Sequence, residues 1–180
     1  YSALNFAPSG WRTASGYDWA YVSSFLGGTP TAGSPAKEAG TTHWTSPNSD
    51  ATNSSGLTLL GGGFRYAIDG QFYFLKDYGL YASPRDGDIF ITTASYNQTN
   101  LPTTQSPGYD SKTGLSVRMV KINNTDPDLP YITDFDGNIY EVKKIGVLWF
   151  TVQNWKSTTY NDETPIPNIT DNATWASLTT

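Results

Sequence analysis

Three Asp-Gly steps divide the sequence: Asp69-Gly70 and Asp136-Gly137 lie between short runs of alternating apolar and polar residues, and Asp86-Gly87 precedes another such run. Asp-Gly favours the positive φ angles that a tight hairpin turn needs, so the first and last steps predict reversals between antiparallel strands. The first hairpin is expected to join Phe64–Ile68 to Gln71–Leu75. The last joins Tyr131–Thr133, through the turn Asp134-Phe-Asp-Gly-Asn138, to Ile139–Lys144 and then Val147–Val152. Further strands are expected over Leu57–Leu60, Asp88–Ala94 and Gly114–Ile122, with Gly61-Gly62-Gly63 as a break.

One segment carries a helical period instead. Trp19, Val22, Phe25 and Leu26 recur at 3/4 spacing, Ser15 can cap the helix, Asp18 occupies the N3 place of a capping box, and Gly27-Gly28 ends it. A second, short helix is expected around Pro35–Gly40. Ser95–Lys112 reads as a long polar loop and Asn123–Pro130 as a linker. The tail Lys156–Thr180 is polar apart from Tyr160, Ile166, Ile169 and Trp175, spaced as in a segment that lies against something. The fold class expected is α+β: a twisted antiparallel sheet, one clear helix and long loops.

The chain has 180 residues, of which 37% are hydrophobic and 14% aromatic, enough to bury the core of one domain but not of two. Asp and Glu number 16 against 11 Lys and Arg, a net charge of −5, which excludes a basic face for nucleic acid. No apolar run is long enough to span a membrane. The sequence starts at Tyr1 and reads as a processed or excised segment. Its abundance of Thr, Ser, Asn and Gly is that of secreted β-rich proteins. Five glycosylation sequons occur, at Asn53, Asn97, Asn123, Asn168 and Asn172.

Gly10-Trp-Arg-Thr-Ala-Ser-Gly-Tyr-Asp-Trp19, Leu26-Gly-Gly28, His43-Trp44, Ala51-Thr-Asn53, Leu59-Leu-Gly-Gly-Gly-Phe-Arg65 and Gly114-Leu-Ser-Val-Arg118 together resemble the Fibrobacter succinogenes major paralogous domain. That family is typical of surface and secreted proteins of Bacteroidota and Fibrobacter relatives, and it is similar to the C-type lectin-like fold. Thr133-Asp-Phe-Asp-Gly-Asn-Ile-Tyr140, Lys144-Ile-Gly146, Trp149, Asn154, Thr159-Tyr-Asn-Asp162 and Thr164-Pro-Ile-Pro-Asn168 resemble the opening of such a domain, although here they follow its ending. Residues 1–122 thus look like the C-terminal two-thirds of the module and 131–180 like its N-terminal third, with the family order rotated. Three arrangements fit: a circular permutant, one period of a tandem array, or a tail that completes the next subunit. The chain departs from the family at Thr13-Ala14-Ser15, where Pro-Thr is usual, and at Tyr81-Ala-Ser83, where an aromatic Trp-Ser-Ser-like segment is usual.

Catalytic constellations are absent from the sequence. His43 is its one histidine, Glu38, Glu141 and Glu163 share no context, and without cysteine the chemistry of the formylglycine-generating relatives does not carry over. Asp134, Asp136 and Asn138 present oxygens that could hold Ca²⁺, with Asp126 and Asp128 as further ligands; the same residues also suit a tight hairpin. Trp11, Trp19, Trp149 and Trp175 are expected in the core, whereas Trp44, in a polar loop, is expected at the surface. In a C-type lectin-like fold the long loop meets ligands, and its counterpart here, 78–110, offers Tyr81, Asp86, Asp88, Tyr96, Asn97 and Tyr109; an ordinary solvated loop is the competing reading.

These readings lead to a non-catalytic extracellular structural or adhesive module, repeated or polymerised into a surface filament with copies of itself as partners. The alternative is a monomeric glycan- or protein-binding domain, on a cell surface or a phage, that uses the 78–110 loop.

Overall fold

A computed structural model describes residues 6–86, 88–106, 110–122 and 130–178. In chain order the elements are β1 (Trp11–Thr13), α1 (Gly16–Phe25), α2 (Gly33–Ala36), β2 (Phe64–Arg65), β3 (Phe72–Tyr73), β4 (Tyr78–Ala82), β5 (Phe90–Ser95), β6 (Thr103–Gln105), β7 (Met119–Lys121), β8 (Tyr131–Thr133), β9 (Ile139–Ile145), β10 (Leu148–Thr151) and α3 (Asn172–Ala176). The class is α+β. The strands form an antiparallel five-stranded sheet in the order β1-β7-β10-β9-β8, a three-stranded sheet β4-β5-β6 and the two-stranded hairpin β2-β3.

Local signals set α1. Ser15 is extended, its Oγ accepts the Asp18 amide at 3.3 Å, and the Asp18 carboxylate accepts the Ser15 amide at 2.7 Å. Arg12 grips the same carboxylate with both terminal nitrogens. Burial would raise the Asp18 pKa, but the hydrogen bonds from Arg12 and Ser15 hold it below the ordinary carboxylate value. At the other end the Gly28 amide bonds to the Ser23 carbonyl and the Gly27 amide to that of Ser24, a reciprocal pair that requires Gly27 at φ +102°. Trp19 and Val22 are buried as their spacing predicts. Phe25, expected on the same stripe, is 57% exposed: the helix ends there and the ring stacks outward on Tyr21.

The core has two parts. Trp19 packs on Tyr81 and Phe150 in the first; Trp11, Met119, Ile132, Tyr140, Val142 and Trp149 gather in the second. β7 lies between them, with all three residues buried, because Met119 faces one cluster and Val120 the other.

The structure departs from the sequence reading where pairing is long-range. Leu57–Leu60 contributes only a bridge from Leu59 to Lys37, and Gly114–Ile122 narrows to β7 with bridges at Gly114 and Ser116. Within the expected loop region 78–110, β5 falls on the predicted strand Asp88–Ala94, and β4 and β6 pair on either side of it where loop was expected. Phe64–Ile68 and Gln71–Leu75 shorten to two residues each around the Asp69-Gly70 turn. Of the expected linker, residues 123–129 lie outside the described residues. Among the described residues, no helix is long and apolar enough to cross a membrane.

Candidate functional site

The segment carrying β8, β9 and β10 joins the rest of the chain along one seam. β10 pairs with β7 at Phe150 and Val120, so β10 is the middle strand of the five. The Met119 amide donates to Thr151 Oγ1 at 3.0 Å, and the Trp155 amide to the Val117 carbonyl at 2.8 Å. On the helix side the Val147 amide donates to the Tyr21 hydroxyl at 3.1 Å.

Arg118 lies at the centre of this seam and is fully buried. Its Nε donates to Asn154 Oδ1 at 2.7 Å. Nη1 reaches the carbonyls of Leu57 (3.0 Å), Thr151 (2.8 Å) and Val152, and Nη2 that of Thr58 (2.8 Å). The acceptors come from both sides: two from the loop before β2, three from the end of β10 and beyond. Burial pulls the guanidinium below its ordinary pKa, but an arginine stays protonated at any physiological pH. A buried cation is tolerated only where its donors are saturated, so this arrangement demands both segments together.

A second arginine, Arg65, closes the seam at its other end. It is 7% exposed and donates through Nε to the Gly70 carbonyl at 2.9 Å, and through Nη1 and Nη2 to oxygens of residues 169–172.

A model of the Fibrobacter succinogenes major domain matches residues 1–121, which include both arginines. The chain belongs to this family. No curated protein and no solved structure matches the chain. In this Fibrobacter succinogenes major domain the matched span ends at Lys121, so β8, β9, β10 and α3 lie beyond it.

Several sequence expectations about this domain's surface are corrected. Trp44 is 1% exposed: its Nε1 donates to the Leu59 carbonyl at 3.0 Å, and the Lys37 ammonium sits 5.7 Å from its ring centre. The polar residues around it cap its loop, and the indole points inward. Tyr81 is likewise buried, its hydroxyl bonded to both the amide and the carbonyl of Leu60, and burial pushes its phenol up. Neither ring is available to a ligand. Trp175, expected in the core, is half-buried instead, lying on Arg65.

The remaining 78–110 candidates do not converge. Asp86 accepts the Tyr17 hydroxyl at 2.6 Å, and Asp88 accepts Gln105 Nε2 at 3.0 Å, both before β5. Tyr96, packed on the first core cluster, and exposed Asn97 follow β5, roughly 20 Å away along a six-residue strand. Tyr109 lies outside the described residues. Beside Asp88 there is a cleft of 350 Å³ lined by Ala82, Pro84, Ile89, Phe90, Leu115 and Val117.

The acidic turn spends its oxygens on protein donors. Asp134 Oδ1 accepts the amides of Asp136 (3.0 Å) and Asn138 (2.8 Å), and Oδ2 accepts Asn138 Nδ2 (2.9 Å) and the Tyr140 hydroxyl (2.6 Å). Burial, with that last bond, pushes the Tyr140 phenol up. Asp136 accepts hydroxyls of Thr159, Thr158 and Ser157 and the Thr158 amide, which hold its carboxyl below the ordinary range. The tight-hairpin reading therefore accounts for this cluster. Asp126 and Asp128 are not among the described residues, and within those no group of three or more His, Cys, Asp or Glu is placed to hold a metal. Of the sequons, Asn97 and Asn168 are exposed, while the side chains of Asn53 and Asn172 bond to Thr58 and Arg65; Asn123 lies outside the described residues. His43 is exposed, with Nδ1 on Glu38 at 2.9 Å.

Sequence reasoning missed the buried cations. Arg118 sits on the polar side of an alternating run and Lys37 in a stretch that reads as a short helix. Yet Lys37 Nζ donates to the carbonyls of Ser49 (3.1 Å), Ser95 (2.9 Å) and Gln98 (2.8 Å), and burial brings its pKa down to about 8. One signal pointed to the arginines: both end family motifs, Leu59–Arg65 and Gly114–Arg118.

Proposed function

We propose that this chain is a non-catalytic structural or adhesive module of the extracellular surface, C-type lectin-like in fold and rotated in order, whose units join through exchange of residues 131–180. The observation that carries this reading is Arg118, whose acceptors are divided between Leu57 and Thr58 on one side and Thr151, Val152 and Asn154 on the other. The body before residue 123 therefore requires a segment like 131–180, and a segment donated by a neighbour would satisfy it as well as its own. Where such a donation runs head-to-tail without closing on itself, it propagates units into a filament. Negative-stain electron microscopy with mass measurement tests this: filaments or a ladder of multiples of 19.7 kDa are expected, and a uniform 19.7 kDa particle at all concentrations refutes exchange.

The cleft beside Asp88 favours a second reading, a monomeric binding domain in which Ile89, Phe90 and Val117 supply the apolar floor and Asp88 a polar contact. Asp88→Ala would then abolish retention on a glycan array without moving the melting temperature.

A further inference from the structure

The tail after residue 156 is held unlike the rest of its segment. None of the residues of α3 is buried, and Ile166, Ile169 and Trp175 are only half-covered. Asp136 holds its first residues, Ser157–Thr159, and beyond the turn at 160–164 what fixes the tail is a cradle on the β2-β3 hairpin. Arg65 fans its terminal nitrogens over the oxygens of Ile169, Thr170, Asp171 and Asn172, while its guanidinium lies 4.2 Å from the Trp175 ring centre and 5.2 Å from that of Phe72. Gly70 makes room: a Cβ there would stand 2.4 Å from the Asn172 carbonyl oxygen. Lys112 Nζ closes the end on the Ala176 carbonyl at 3.4 Å. Asp171 caps α3 through the Thr174 amide at 2.7 Å, so the tail carries its own fold into the cradle.

The turn that leads into the cradle is strained. Tyr160 and Thr164 close it with an amide-to-carbonyl bond of 2.8 Å, and Glu163 sits at φ +67°, a left-handed angle costly for a residue with a side chain. Straightening the turn relieves that strain, and short strained hinges favour exchange of the element they carry.

We propose that the Arg65–Gly70–Phe72 cradle is a docking site for the Pro165–Leu178 segment of a second copy of this chain. It rests on the exchange reading above and adds the surface that recognises the donated segment. Four of the oxygens that Arg65 contacts on the hairpin and tail are main-chain carbonyls, so selectivity comes from Trp175, which stacks on the guanidinium, and from the clearance at Gly70.

The test uses the full chain carrying Trp175→Ala, which loosens its own tail in the cradle by removing the stacked ring, and a labelled peptide of residues 165–178 in excess. The peptide is expected to bind saturably, and the same peptide with Trp175→Ala about tenfold more weakly, the loss of one stacked cation. Arg65→Gln in the receiving chain should weaken the native peptide to a similar degree, with circular dichroism verifying the fold. Equal binding of the two peptides, or none by the Trp175→Ala chain at saturating peptide, overturns the proposal without relying on any variant's stability. Peptide binding by a chain whose unsubstituted form remains a 19.7 kDa particle at all concentrations would mean that the cradle receives only its own tail, and would overturn the proposal together with exchange. Ladders that form as readily with Arg65→Gln as with Arg65 refute the cradle and leave exchange standing.

Discussion

Arg118 and Arg65 perform the same chemistry in two settings. Each is a guanidinium saturated largely by main-chain carbonyls with no carboxylate partner among its acceptors, and each bridges the family-matched body to the segment beyond it. Around Arg118, however, Leu57 on one side and Thr151 and Val152 on the other are buried, whereas Arg65 receives a tail that stays in contact with water. Donor saturation alone does not decide how tightly two segments hold. The apolar area that closes over the donors does, because it sets the cost of exposing them again.

The sharpest way to break the comparison is at Arg118. Arg118→Met leaves five oxygens without their donor and should cost about 3–5 kcal/mol, much of the stability of a domain this size. Deleting residues 131–180 should abolish cooperative folding altogether. Urea denaturation checks both, and a truncated chain that unfolds cooperatively would show that the seam is dispensable.

Lys37 separates charge from geometry. It has three carbonyl acceptors in a core position, and Lys37→Met should cost about 2 kcal/mol. Its pKa falls from 10.5 unfolded to about 8 folded, so between those values the unfolded chain binds more protons and stability rises with pH. The contribution is present above 10.5 and lost as pH falls through 8. Urea midpoints measured across that window should climb in the native chain and climb less in Lys37→Met; identical slopes would remove Lys37 from the account.

Arg65→Gln should lower global stability by only about 1 kcal/mol while accelerating amide hydrogen exchange at Thr174 and Trp175. Unchanged exchange there would mean that the tail does not depend on the cradle. The smallest effect concerns the acidic turn: adding a chelator should leave the melting temperature where it is, because Asp134 and Asp136 already bond to protein donors. A fall on chelation would reinstate a calcium site.

The same contrast explains what the sequence disclosed. The α1 cap, its glycine end and the Asp-Gly hairpins were legible because each depends on residues within a few positions of one another. β1, β4 and β6 were not: Trp11–Thr13 is a strand only because Met119–Lys121 runs beside it, and Thr103–Gln105 only because Phe90–Thr92 does. Alternation puts Arg118 on the polar side of its run, but it lies just before β7, which is flanked by β1 and β10 and buried along its length, and the loop at Leu57–Thr58 covers it. Polarity misplaced Trp44 for the opposite reason, since a polar loop can fold over the one ring it contains. Of the candidate ligand residues, Asp88 borders the apolar cleft and Asn97 a more open one beside Thr29 and Pro30, at opposite ends of β5.

The five-stranded sheet ends in β1 and β8, each only three residues long. Such short borders offer little template for strand-to-strand growth. Units linked by segment exchange would therefore keep their sheets separate, and their fibres would lack the continuous spacing of about 4.7 Å along the axis that marks amyloid. Dyes that respond to amyloid should stay dark on them.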